Sequence, residues 1–234
     1  MLVGTFEVAG TGVLDGTTVS LAPDQLTLVQ PCGTASGGWV ASDTGEASAS
    51  IDSIEGGCIT GGGRDWTKEL AGHRMVGPDV ALTDQRNEVL VVLKRTGGAP
   101  PLGATESTTV PLPAGLRSVA DTTGSFARAG DPEGVGVRIT PGSVRAVGEL
   151  AGCRRSLNLV VLHNENGSWA TMRAPGTRAV ADVCTPTPEL VGIDPYDAFE
   201  RTSVGGIDSV TGELVLIGAD GTEIIRLDPR DSGR

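Results

Sequence analysis

The feature that most constrains this chain is an internal duplication at a spacing of about 120 residues, because a repeat of that length must fold twice into the same kind of unit. Gly4-Thr5-Phe6 stands 26 residues before Cys32, counted from Phe6, and Gly124-Ser125-Phe126 stands 27 before Cys153, counted from Phe126. Between these landmarks lie Val19-Ser20-Leu21-Ala22-Pro23 in the first half and Val137-Arg138-Ile139-Thr140-Pro141 in the second. A second cysteine follows the first by 26 residues in one copy (Cys58) and by 31 in the other (Cys184). Each copy then closes on an apolar pair of runs, Asp79–Leu82 with Val89–Leu93 and Leu214–Ile217 with Ile224–Leu227. Five elements in one order read as a duplicated domain. Thr96 to Gly115 holds Pro100, Pro101, Pro111 and Pro113 among small residues, which is linker composition. The expected division is a first copy over 1–95, a linker over 96–116 and a second copy over 117–234.

Each copy reads as mainly β with one short helix. Asn166-Gly167 separates Leu159–Leu162 from Ser168–Met172, and Asn-Gly between β-prone runs predicts a two-residue hairpin turn. Trp39-Val40-Ala41, Asp43-Thr44-Gly45 and Glu46-Ala47-Ser48 form the corresponding hairpin of the first copy, and Asp220-Gly221 turns the last one. Asp194-Pro195 before Tyr196–Arg201 carries an N-cap residue and a first-turn proline. Asp65 stands in the same relation to Trp66–Leu70, whose Trp66 and Leu70 share a helical face. A β-propeller fragment is the rival architecture, but blades of ~40–45 residues fit a repeat of this length poorly.

Charge and composition exclude several functions. Lys and Arg number 18 against 29 Asp and Glu, a net charge of −11 that repels phosphate backbones and anionic lipid. With seven aromatics in 234 residues there is little to stack bases, so no nucleic-acid partner is expected. No apolar run reaches the ~20 residues of a membrane helix, so no direct span is expected. The nucleophile elbow, the phosphate loop and the paired-histidine zinc helix are all missing. Gly10-Thr11-Gly12-Val13-Leu14-Asp15 starts like a dinucleotide fingerprint but has Asp where the third glycine belongs.

The remaining polar candidates each have a structural explanation. His163 sits at a hairpin mouth, and His73 follows the first short helix, where it complements the helix C-terminus. Asp194/Asp197 read as helix capping and Asp131/Glu133 as a turn, which leaves calcium or acid–base roles as the lesser readings. Gly61-Gly62-Gly63-Arg64 reads as a flexible connection. No catalytic residue, no cofactor and no metal are therefore expected. Trp39, Trp66 and Trp169 are the possible ligand contacts, either packed in the core or lining the open end of a sheet as an apolar pocket.

The cysteines at 32, 58, 153 and 184 contain no close pair of the kind zinc needs. Two disulfides or four buried thiols remain, and the loop-rich setting favours disulfides. No leader is visible at Met1-Leu2-Val3-Gly4. Bridges imply an exported chain whose leader, and with it any lipid anchor, is absent here. Sixteen of the 18 basic residues are Arg, a bias of GC-rich bacterial genomes.

Taken together, Gly4-Thr5-Phe6 and Gly124-Ser125-Phe126, Cys32-Gly33 and Gly152-Cys153-Arg154, Thr177-Arg178 running to Cys184, and the closing strand pairs resemble the META domain of HslJ-like bacterial envelope proteins. The likeness covers about nine-tenths of the chain as two copies. It departs from the family at the opening Trp, which is Phe in both copies, at the missing Asn after the cysteine, and at the Thr-Arg pair the first copy lacks. The resemblance implies a small antiparallel sheet curled around one helix in each copy, without known catalysis, in an exported, stress-related setting. It implies an envelope protein, peptide or small apolar ligand as partner. A structural module of an envelope assembly and a hydrolase with a carboxylate site are the rival functions.

Duplication selects Cys32–Cys58 and Cys153–Cys184 from the three possible connectivities. Each bridge closes a loop whose chain-entropy effect is ~3.5 kcal/mol. A non-reduced tryptic digest should show Met1–Arg64 two hydrogens lighter than its reduced form, and Ala146–Arg154 linked to Ala179–Arg201. Free thiols, or a bond joining the halves, contradict this pairing.

Overall fold

The computed structural model describes residues 2–22, 25–57, 65–96, 110–131, 135–150, 153–174 and 195–230. The chain divides into two units, Met1–Ser107 and Thr108–Arg234. Among the described residues it is mainly β, 57% strand and 5% helix, in two curled antiparallel sheets, one nearly a barrel and one a half-barrel.

The first unit contains β1 (Gly4–Ala9), β2 (Thr18–Leu21), β3 (Gln25–Gln30), β4 (Gly33–Ala41), β5 (Ala47–Ala49), β6 (Ser53–Gly56), α1 (Trp66–Glu69), β7 (Gly72–Val76), β8 (Asp79–Thr83) and β9 (Val89–Arg95). The second contains β10 (Leu116–Ser118), β11 (Gly124–Ala127), β12 (Gly136–Thr140), β13 (Ser143–Leu150), β14 (Cys153–His163), β15 (Trp169–Arg173), α2 (Pro195–Glu200), β16 (Thr202–Asp208), β17 (Leu214–Gly218) and β18 (Glu223–Arg230). The first sheet runs β5-β4-β3-β2-β1-β9-β8-β7, with β6 also on β4; the second runs β15-β14-β13-β12-β11-β18-β17-β16-β10. Strand for strand, β1–β5 and β7–β9 take the places of β11–β15 and β16–β18, with the helix at the same point in the chain. One topology occurs twice.

Register carries the correspondence down to single residues. Phe6 pairs with Val19 and Phe126 with Val137, and all four are buried. Val80 faces Leu93 as Leu214 faces Leu227, again all buried. Alternation of buried and exposed positions along β2 and β3 puts one face of each strand on the core, as a half-buried sheet requires. The β4–β5, β8–β9, β14–β15 and β17–β18 hairpins share one turn. In each, residue X donates to the carbonyl of X+4 and accepts from the amide of X+3, where X is Ser42, Asp84, Asn164 or Gly218. The X+3 position needs a positive φ and is filled by Gly45 (93°), Asn87 (62°), Gly167 (79°) and Gly221 (79°). The Asn166-Gly167 hairpin is therefore present, but its turn is longer than two residues: His163 pairs with Trp169, and Asn166 Oδ1 caps the Ser168 amide at 2.9 Å.

Closing a curled sheet requires its two edge strands to meet, and the two units solve this differently. In the first, Ala47 donates to Ala71 O at 3.1 Å and His73 donates to Gly45 O at 2.7 Å, with a bridge between Glu46 and Gly72. The small Ala47 side chain lets β5 and β7 come this close. In the second, register places Trp169 where Ala47 stands and Gly205 where His73 stands. The Trp169 indole covers Gly205 so tightly that a Cβ there would fall 2.5 Å from the ring. Leu112 fills the remaining gap: its amide donates to Asn166 O at 3.1 Å, and its side chain lies against Gly167 and Gly206. β10 then pairs with β16 on the edge that barrel closure would have used.

The segment 110–116, expected to be the end of the linker, is thus part of the second unit. Val110, Leu112 and Leu116 pack on Val204, Val215 and Ile217 of β16 and β17, forming a small apolar layer on the outer face of the sheet. The boundary between the units falls within the expected linker, at 107/108.

Both expected helices form, with corrections to their carboxylates. Asp65 precedes α1 but makes no side-chain cap; it accepts the Thr67 hydroxyl and pairs with Lys68 at 3.1 Å. Asp194 lies outside the described residues. Asp197, expected to serve in capping, instead forms a two-pronged ion pair with Arg155 of β14, at 3.1 and 2.9 Å, and Arg155 also lies 4.7 Å over the Tyr196 ring. Both partners are largely buried, at 7% and 14% side-chain exposure. Removing one member of such a pair strands the other charge. Asp197→Ala is expected to lower stability in chemical denaturation by ~3–5 kcal/mol, while Arg155→Met with Asp197→Leu recovers most of the loss. Equal losses in the single and double variants contradict a desolvated pair.

Candidate functional site

The side chains expected to contact a ligand are buried. Trp39, Trp66 and Trp169 are exposed by 3%, 5% and 7%, and each belongs to the main core of its unit. Trp39 donates its indole N–H to Ala22 O. Trp169 packs on Phe199 at 5.5 Å and edge-on to His163 at 6.3 Å. An apolar pocket formed by these rings is thus corrected to core packing. Trp39 and Trp169 sit on neighbouring strands of the corresponding hairpins, so they are not equivalent positions.

The histidines are also reassigned. His73 lies on β7, and its Nε2 is 2.9 Å from Ser42 O, so it secures the seam of the first sheet rather than a helix end. His163 ends β14 and is half-buried against Trp169, not exposed in the turn. Asp131 makes the expected turn by accepting the Arg128 amide at 3.0 Å and its guanidinium at 2.9 Å; Glu133 lies outside the described residues. So does the glycine run 61–64. Among the described residues no group of three or more His, Cys, Asp or Glu is placed to hold a metal, and no helix is long and apolar enough to cross a membrane.

Cys32 is disulfide-bonded, and no free cysteine is found among the described residues. Cys58, Cys184 and the side chain of Cys153 lie outside them. The backbone beside Cys32 pairs with residues 56 and 57: Gly33 pairs with Gly56, and Gly57 donates to Cys32 O at 3.2 Å. By register the two leading cysteines differ by one position. Cys32 is within the β3–β4 turn, whereas Cys153 is the first paired residue of β14.

A cleft of about 390 Å³ in the second unit has the mixed lining of a recognition site. Its floor is Val215 and Ile217, its near wall the segment 113–116, and its far wall the β16–β17 and β17–β18 turns. Ser209 holds the walls together, donating from both its amide (3.1 Å) and its hydroxyl (2.8 Å) to Gly115 O. Val210 at the rim is 93% exposed. Beside this apolar surface stands Arg226, opposite Val215 in the β17–β18 register. Its Nε and Nη2 reach Glu223 at 2.9 Å, and its Nη1 reaches Asp208 at 2.9 Å and Glu213 at 3.2 Å. Three carboxylates surround one guanidinium.

The sequence reading missed this cluster because its members are scattered between 208 and 226. The hairpin register is the signal that brings them together. Comparison of the chain with protein-family models, with curated proteins and with solved structures gives no match.

Asp208 and Arg226 hold their charges firmly. Asp208 accepts the Val210 amide at 2.8 Å, the Arg226 guanidinium and the Thr211 amide at 3.2 Å, which draw its carboxyl down from 3.8 to about 2. Arg226 is held further up, by Glu223 first and then by Asp208 and Glu213. A depressed carboxyl stabilises the fold above its unfolded value and loses that contribution as pH falls through the folded one. The Asp208 carboxyl carbon should therefore titrate near pH 2 by NMR, with the β16–β17 turn loosening between pH 4 and 2. In Asp208→Asn that acid-dependent loosening should vanish. An ordinary carboxylate midpoint contradicts the network.

Proposed function

We propose that this chain is a non-enzymatic, exported bacterial envelope protein of two META-like modules that binds a peptide, protein or apolar ligand through the cleft of its second unit. The observation that carries the reading is the cleft itself, where the exposed Val210 stands over a buried apolar base and adjoins a fixed ionic cluster. Such a surface combines area for burial with polar groups that fix orientation. The buried groups have structural work: the tryptophans fill cores, His73 secures a seam and Asp197 anchors a helix. That is the pattern of a scaffold presenting a surface. The disulfide at Cys32 supports an oxidising compartment, and its partner in this reading is Cys58, with Cys153 and Cys184 joined in the second unit.

Two-dimensional amide NMR of the full chain against a library of small apolar fragments and short peptides tests the reading. Shifts are expected at Leu116, Val210, Gly221 and Arg226, and Val210→Asp should abolish them without unfolding the protein. Shifts confined to other parts of the surface, or none at all, overturn the cleft as the binding site.

A further inference from the structure

The ionic cluster restricts the chemistry that the cleft accepts. An anionic ligand would need donors from Arg226, yet all three nitrogens of that guanidinium already face carboxylates: Nε and Nη2 meet Glu223, and Nη1 meets Asp208 and Glu213. Admitting an anion means displacing one of these and leaving it beside the incoming charge. Asp208, Glu213 and Glu223 against one Arg226 leave a surplus of two negative charges at the rim. These carboxylates lie at the surface, with side-chain exposures of 20%, 24% and 46%, where an incoming charge can reach them. The floor is different in kind. Val215 and Ile217 form the buried base, and Val210 stands out at 93% exposure on the turn between two of the acids.

We infer that the occupant of this cleft is an extended peptide of a protein partner in which an apolar side chain is flanked by basic ones. The inference rests on the cleft reading above and adds the partner's chemistry to it. The apolar side chain packs on the exposed Val210 above the buried base, while a guanidinium or ammonium on either side meets the surplus carboxylates at the rim. Complementarity of this kind acts chiefly on selection among partners and on the rate of encounter. It is strengthened by the chain's own net charge of −11, which repels acidic competitors.

Fluorescence anisotropy with the full chain and three labelled pentapeptides tests this. All three carry a central leucine, flanked on both sides by arginine, by glutamine or by glutamate. The arginine peptide should bind at least about tenfold more tightly than the glutamine peptide, with the glutamate peptide weakest. The variant Glu213→Gln/Glu223→Gln, altered at surface positions, should keep its circular dichroism and lose most of that preference. Equal affinity for the arginine and glutamine peptides overturns the inference, as does a preference that survives the double substitution. Failure of every peptide to bind also overturns it. If apolar fragments still shift Val210 and Gly221 in NMR, the cleft survives as a site and only the assignment of a basic peptide falls.

Discussion

Everything distinctive in this protein depends on how a curled antiparallel sheet disposes of its two free edges. An edge strand carries unpaired amides and carbonyls that must find partners or be kept from templating aggregation. In the first unit the edges find each other, because Ala47 is small enough for β5 to approach β7 and exchange backbone hydrogen bonds. In the second, a tryptophan at the corresponding place props the seam open. Trp169 cannot be accommodated by a strand partner bearing side chains, so its neighbour is Gly205, and Leu112 donates to the Asn166 carbonyl of the turn in place of a direct strand-to-strand seam. One substitution of small by large turns a near-closed sheet into an open one with a covering segment.

That covering segment creates the site. Leu112 anchors it between Gly167 and Gly206, two positions where any Cβ would collide with the leucine. From this anchor residues 113–116 are carried across the outside of β16 and β17, and β10 follows. The floor needs apolar residues on the outward face of β17, where a solvated sheet would normally carry polar ones. Val215 and Ile217 meet that need, whereas the first unit has Ala81 and Thr83 at the same register positions. The covering segment and its floor are two halves of one feature.

The architecture was legible in the sequence where backbone chemistry and core burial left repeated marks. The opening Gly-x-Phe, the paired closing strands and the turn glycines fall at matching places in both copies, and the proline at the start of α2 marks the helix of the second. Asn87 was a less visible turn residue because asparagine reaches positive φ only by exception. The remainder was hidden for physical reasons. Nothing local to residues 110–116 distinguishes a linker from a segment whose leucines land on a distant sheet. Asp197 looked like a capping residue because its partner, Arg155, is 42 positions away. The Arg226 cluster spans two turns, and its members meet only once register pairs Val215 with Arg226. Long-range electrostatics has no one-dimensional signature.

Duplication also explains why the site belongs to only one copy. Core-facing positions are held to similar volume and polarity in both units: Phe6 and Phe126, Val19 and Val137, Leu82 and Leu216, Leu93 and Leu227. Outward-facing positions carry no such constraint, since a change there leaves packing density untouched. At the register position of Arg226 the first unit has Val92, and at that of Glu223 it has Val89. A single ionic group at either position would face water alone; the guanidinium becomes useful only when acids at both flanking turns fix it and a covering segment supplies a wall. The first unit, closed along its own seam, has no place for such a wall. The second unit's open seam leaves room for that wall, and it stays open because Trp169, buried in the core, covers Gly205 where the strands would otherwise meet.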